Sequence, residues 1–476
     1  MKFKTTAILF AVFVVLLAFV LLFDSKGTDE DDTSGKLVAL SSEDVESIEF
    51  KSLEDTLSFK KNENGEWQIT SPIQAQGDKN EVDRLAGDFA DLTFDRIVEE
   101  EVTDLKKYGI PDKEVTLLFK DKPEPVKILI GMENPLDNSL FAKRSDDTKV
   151  VLLSSSVKSL LDKKLFDFRK KDIFTFDTAA VQSANISSPD QKWQAEKREG
   201  DWWLKTPIEA LAQSGEITSL LSSLSSIKAA EFLTEEKTPE KLIEFGLDKP
   251  DYTVSLKLPI ENQELTFKLH KKDDNIYVTT DQSTKMIRTE DTVLENLDKK
   301  FEEFRSRDVA DFYSWEVNKV SIIQGESALT VVKSDEGNWN FGPANGESAD
   351  KDKIEGLVRK LDSLEAESFI DSPTDLKGYG LDPPQFKIKL STQESDGSIK
   401  EITLLIGTTE IKMEPPVGQE IEEEKDPTET KLVIVKNPRF GYLFKTKAEF
   451  LDDIPVNAEA WKVISEQKAE IPEKKK

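Results

Sequence analysis

One histidine, His270, is the only side chain in this sequence whose ordinary pKa suits general-base work near neutral pH, and no cysteine accompanies it. A Ser-His-Asp or Cys-His arrangement would have to pass through that one residue. Thiolate nucleophiles, disulfides and zinc-cysteine sites are excluded outright. His270 lies within Leu265 to Lys271, which alternates as a strand does, so it reads as a surface or strand-pairing residue rather than a ligand. Carboxylates are plentiful, 93 Asp and Glu against 65 Lys and Arg, but no spacing selects a pair suited to glycoside cleavage. No G-x-x-x-x-G-K-[ST] loop occurs, and no G-x-G-x-x-G follows a strand and opens a helix, which argues against nucleotide chemistry in this chain. The formal charge of −28 disfavours nucleic acid and anionic lipid as partners and suits a self-repelling, soluble surface. No catalytic, cofactor-binding or metal-binding residue is nominated.

What the sequence does carry is a repeat. Gly65, Trp67 and Pro72 precede Val82, Leu85, Ala86, Phe89 and Leu92, whose spacing marks one face of a helix. Gly200, Trp202 and Pro207 precede Ile217, Leu220, Leu221, Leu224 and Ile227; Gly337, Trp339 and Pro343 precede Ile354, Leu357, Val358, Leu361 and Leu364. The tryptophans lie 135 (202 − 67) and 137 (339 − 202) residues apart, a period long enough for each copy to bury its own core. Before Trp67, β-runs separated by the Asn62 to Gly65 turn read as a hairpin. An aromatic-Gly-aliphatic turn follows each helix, at Gly109, Gly246 and Gly380, and suits a left-handed cap. Strands then run in sequence as an antiparallel meander to a closing helix that ends in Arg169 and Asp172, or in Arg305 and Asp308. Those Arg/Asp pairs read as junction ion pairs linking a module to its successor. Trp203 has no counterpart in the other copies and is a candidate partner contact, with a half-buried strand aromatic as the plainer reading.

The expected fold is α+β: three tandem modules, each an antiparallel sheet covered by one or two helices, set in a row after an N-terminal transmembrane helix. Lys2 and Lys4 precede an apolar run from Ala7 to Phe23, without a small-residue cleavage site. At about 1.5 Å rise per residue its 17 residues just span a bilayer. An uncleaved single-pass anchor over residues 1–24 is therefore expected, with the bulk of the chain outside the cytoplasm. The segmentation is a flexible linker at 25–37, modules at 38–176, 177–313 and 314–456, and a charged tail at 457–476. The third module is expected to carry a mobile acidic loop at 410–430, where eight acidic residues, two basic residues and three prolines leave nothing to bury.

The Trp-x-aliphatic-x-x-Pro pattern of Trp67 and Trp202, the helix behind it, the Tyr-Gly turns, and Ile130-Gly131 with Ile406-Gly407 downstream resemble DUF4340 over about Val38 to Asp453. Module two departs with Leu269-His270 at the Ile-Gly position. The resemblance implies a membrane-anchored envelope protein without established catalytic residues or cofactors, on the periplasmic side of the cytoplasmic membrane. It also implies protein partners, namely permease and ATPase chains of an ABC-type transporter related to gliding-motility systems. The leading expectation is a non-enzymatic scaffold or binding protein of that kind. A glycan hydrolase using carboxylates and an extracytoplasmic ligand-binding module stay open beside it.

Overall fold

In the computed structural model the described residues are 35–52, 55–120, 122–259, 264–290, 292–342, 346–393, 397–414, 428–455 and 457–463. The apolar run at 7–23, nearly all of the linker, Pro343, the acidic stretch 415–427 and residues 464–476 lie outside them. Among the described residues no helix is long and apolar enough to cross a membrane.

The first copy starts at the centre of its sheet. Val45–Lys51, Thr56–Lys61 and Trp67–Ser71 run outward as hairpins, and Ala75–Gln76 completes that edge. Helix α1, Lys79–Ala90, then carries the chain to the opposite edge, where Arg96–Glu99 lies. Lys113–Phe119 returns to the centre beside Val45–Lys51, and Lys122–Glu133, Leu140–Arg144 and Val150–Leu153 run outward until the last pairs with Arg96–Glu99. A helix joining opposite edges has to cross the sheet's face, so its apolar stripe becomes core. Val82, Leu85, Ala86 and Phe89 are accordingly buried, each large side chain contributing about 1.5–3 kcal/mol. All nine strands pair antiparallel. The second sheet repeats the order with nine strands around α2, Ser214–Ser225, and the third with eight around α3, Lys351–Asp362.

The repeated tryptophan fixes sheet to helix. Trp67, Trp202 and Trp339 are buried, and a lysine of the neighbouring strand lies over each ring: Lys61, Lys197 and Lys333, at 5.0, 5.3 and 5.7 Å. Trp67 Nε1 donates to Asp83 at 2.7 Å and Trp339 Nε1 to Glu355 at 3.4 Å, each the fifth residue of its covering helix. Each tryptophan carbonyl also accepts from the backbone N–H just before the helix, at Gly77, Ala212 and Ala349. One residue later, the N–H of Asp78, Gln213 or Asp350 donates to the carbonyl of Phe168, Phe304 or Trp461 in the closing segment.

Several expectations need correction. The closing helix is two short turns in each of the first two copies, Ser156–Leu161 with Leu165–Phe168 and Val293–Leu297 with Phe301–Phe304. In the third copy the corresponding carbonyl belongs to Trp461, which is buried, so the module runs past 456 and the described start of the expected tail is part of its core. Lys462 there takes the place of Arg169 and Arg305: all three form an isolated bridge with the residue before the helix, Gly77, Ala212 and Ala349. The expected loop 410–430 begins and ends as a ladder, because Ile399–Glu414 and Thr428–Lys436 continue pairing as far as Glu414 and Thr428. At the other end, Gly35–Lys36 pairs with Thr93–Phe94 as a separate two-stranded sheet and Leu37 is buried in the first copy's core, so the end of the expected linker belongs to the first module. The chain divides into two compact units, one ending at Ile173 and one starting at Phe174. The second unit therefore holds two sheets, where independent beads were expected.

Candidate functional site

The three aromatic-Gly turns have the backbone expected of them. Gly109, Gly246 and Gly380 have φ of 63°, 70° and 65°, the left-handed region that glycine enters without cost. They differ in what lies beneath. A Cβ on Gly109 would stand 3.2 Å from Met132, whereas one on Gly246 would stand 2.2 Å from His270 Cδ2. His270 fills the strand position that is Gly131 in the first copy and Gly407 in the third. Its Nδ1 lies 2.9 Å from Asp251 Oδ2, although the angle is too poor for a hydrogen bond. The histidine pairs with Tyr277 on its strand, in keeping with the strand-pairing reading, and also lies beneath the Gly246 turn.

Arg169 and Arg305 each follow the closing segment and are buried. Arg305 shows what such a residue does inside the second unit. Its guanidinium carbon lies 3.6 Å from the ring centre of Phe369 and 4.1 Å from that of Tyr442, both from the third copy. Nη2 stands 2.8 Å from Asp371 Oδ1. That distance marks an ion pair, but neither Nη2 nor Nε has a partner in hydrogen-bond geometry, so the two ring faces carry much of the compensation for burying this charge. Burial also pushes the Tyr442 hydroxyl above its ordinary pKa, with Arg305 opposing. The junction pairing expected of Arg305 is present, but its carboxylate is Asp371, not Asp308, whose Oδ2 accepts from Ser306 Oγ instead.

The segment after Arg305 adds to the same junction. Arg307 Nε and Nη2 donate to the carbonyls of Ala366 and Glu367, the Ala366 N–H returns to Arg307 O, and Val309 N–H donates to Leu364 O. Asn437 Nδ2 reaches Val309 O at 2.9 Å. Trp203 belongs here too. It is half-buried, with Phe440 6.0 Å away between ring centres and the guanidiniums of Arg198 and Arg439 each 5.5 Å from its ring. Arg439 in turn contacts Asp201 at 3.2 Å and Asp311 at 3.5 Å. Trp203 therefore spends its ring on the contact between the second and third sheets.

The exposed aromatic surface lies a few residues beyond that junction. Tyr313 and Trp315 stack with ring centres 4.5 Å apart and planes 15° from parallel, at 57 % and 70 % exposure. Of the seven tryptophans, Trp315 is the exposed one. The Ser314 N–H between them donates to Asp362 Oδ2 at the end of α3, which ties the pair to the helix. Sequence reasoning passed over these residues because an aromatic pair flanking a serine gives no sign of whether its faces are covered.

Three overlapping segments of the chain, residues 67–242, 202–384 and 339–411, match the family described as Domain of unknown function (DUF4340). The chain belongs to the DUF4340 family. Each match begins at a repeat tryptophan, Trp67, Trp202 or Trp339, and the first two run past the next one. The DUF4340 unit therefore contains the return half of one sheet and the opening half of its successor, so the segment carrying Arg169 or Arg305 falls inside it. No curated protein matches the chain.

Proposed function

We propose that this DUF4340 chain is a non-enzymatic, single-pass envelope protein. Residues 1–24 anchor it in the cytoplasmic membrane, its sheets stand on the periplasmic side, and it serves as scaffold or binding subunit to the permease and ATPase chains of an ABC-type transporter. The observation that carries this reading is the stacked Tyr313–Trp315 pair, left exposed beside a junction that buries a whole arginine. Arg305 locks two sheets of the second unit together, as a scaffold requires. A rigid, exposed aromatic pair is the surface type that concentrates binding energy in protein interfaces. The helix-end tether through Asp362 pre-orders the pair, which lowers the entropy that binding would otherwise cost.

Crosslinking and pull-down of the full chain from native membranes tests this. Permease and ATPase subunits should co-purify with the wild type and be lost with Trp315→Ala. Recovery of the chain in the soluble fraction would refute the anchor, and full partner recovery by Trp315→Ala would refute the contact. Turnover of cell-wall glycan that disappears on carboxylate substitution would replace the reading with a hydrolase.

A further inference from the structure

The internal repeat places the same position of the fold in more than one copy, and the copies differ in how they fill it. In the first unit a groove of about 630 Å³ opens between the hairpin end of the central strands and the closing turns. That is within the range of small-molecule sites. Its wall includes Phe50, Leu57, Leu161 and Leu165, all only partly buried.

The pairings Phe50 with Leu57 and Val115, and Ile186 with Trp193 and Val254, place Phe50 and Leu57 where the second copy has Ile186 and Trp193. The bonds from Asp78 to Phe168 and from Gln213 to Phe304 likewise align Leu161 and Leu165 with Leu297 and Phe301. Those four counterparts are 3 %, 2 %, 1 % and 6 % exposed. The second copy has closed the groove with larger side chains, Trp193 against Phe304 at 4.4 Å and Phe301 in place of a leucine.

It has also latched the groove. Gln191 Oε1 accepts from the Phe301 N–H at 2.8 Å, and its Nε2 donates to Lys299 O. Tyr252 OH donates to Asp298 at 2.7 Å. The equivalent turn bonds, Ser52 N–H to Asp55 O and Ser188 N–H to Gln191 O, put Asp55 at the place of Gln191. A carboxylate has no N–H to give the facing carbonyl, so this latch cannot form in the first copy. Lys113 stands in for Tyr252 and meets Asp162 at only 3.6 Å.

The rim carries both signs. Lys163 is engaged by Glu81 and Lys113 by Asp162, while Lys51, Lys164, Asp55 and Asp112 have no ion-pair partner among the described residues. On a chain of net charge −28, a purely anionic ligand is repelled at long range, and a cation would meet two lysines at the rim. A head group with one charge of each sign satisfies the unpaired groups, and an acyl chain covers the apolar wall. We propose that this groove binds a single-chain amphiphile with a zwitterionic head, of the lysophosphoethanolamine type.

The test is photolabelling of the full chain in native membranes with a diazirine-bearing lysophosphoethanolamine. The comparison probes are a fatty acid and an alkyl trimethylammonium of the same chain length. Adducts should map to the peptides containing Leu57 or Leu161, at least fivefold above either singly charged probe. A closing variant, Asp55→Gln with Leu57→Trp and Leu165→Phe, copies residues that the second copy already accommodates. It should melt no lower than the wild type and lose at least tenfold of the label. Lys51→Glu with Lys164→Glu, both exposed changes, should lower zwitterion labelling at least fivefold and raise labelling by the cation. Absence of adducts on those peptides, equal labelling by the fatty acid, or label that survives the closing variant would each overturn the proposal.

Discussion

Arg305→Ala is the sharpest test of how the second unit is held together. The wild-type guanidinium is 3 % exposed, lies between two aromatic rings and faces Asp371. Breaking a fully buried ion pair costs about 3–5 kcal/mol, but Asp371 is 34 % exposed and regains hydration once its partner leaves. The pair therefore contributes toward the lower end. Loss of a desolvated cation from two ring faces adds about 2 kcal/mol, part of it the same energy counted differently. A destabilisation of about 3 kcal/mol follows, a fall of roughly 6–12 °C in the melting temperature at about 2–4 °C per kcal/mol.

Calorimetry reads this directly, and it should also show the transition of residues 174–476 splitting in two as the sheets lose their clamp. Arg305→Lys separates the contributions. An ammonium keeps the charge but cannot stack flat between two rings, so about 2 kcal/mol should still be lost. Asp371→Asn should cost about 1 kcal/mol, with a coupling of similar size in the double mutant. If Arg305→Ala cost under about 1 kcal/mol, or Arg305→Lys matched the wild type, the rings would not be holding this charge and the clamp would fail.

Three further outcomes follow. Gly246→Ala should destabilise by about 2–4 kcal/mol, since its Cβ would lie 2.2 Å from His270; in a His270→Gly background only the left-handed strain of about 1–2 kcal/mol should persist, as denaturant titration would show. Asp83 is pushed up by burial, but its bonds from Lys79 and Trp67 Nε1 outweigh that and hold it below its ordinary 3.8. A depressed folded pKa gives stability that is present above that value and lost as pH falls through the folded one, so Asp83→Asn should flatten the stability profile below pH 3.8 and leave its acid limb unsteepened. Trp315→Ala should change the melting temperature by no more than about 1 °C, because a residue 70 % exposed has little packing to lose, while its partner capture disappears.

The repeat was legible because the tryptophan, the turn and the helical stripe are local patterns with fixed spacing. Gly109, Gly246 and Gly380 were legible for the same reason: a left-handed cap has a short-range signature. The edge strands Arg96–Glu99, Glu231–Thr234 and Ala366–Ile370 were not, because an edge strand of four or five residues with one covered face shows too little alternation. Asp371 was missed as the partner of Arg305 for a different reason. The nearest acidic residue in sequence is Asp308, but the chain turns away there to pair with Leu364 to Glu367, and the carboxylate that arrives comes from the next module. Trp461 lacked a periodic neighbourhood, and its carbonyl bond to Asp350, with the bridge of Lys462 to Ala349, reveals it as the third member of the Phe168 and Phe304 series.

The copies share a scaffold and differ where it ends or opens. The third places Lys462 where the second has Arg305, and Lys462 is half-exposed, meeting Glu347 and Glu459 at the surface instead of a pair of rings. Arginine stacks and forks in a buried junction, whereas a lysine is readily hydrated, so the lysine fits a half-exposed position where its partners are surface carboxylates. The same reasoning distinguishes the first copy from the second at the groove. Leu57, Asp55 and Lys113 are not a degraded version of Trp193, Gln191 and Tyr252, since four half-exposed apolar side chains around one opening cost stability that the larger residues would restore. An opening that the fold can close, and in its neighbour does close, is where a ligand has most room to contribute.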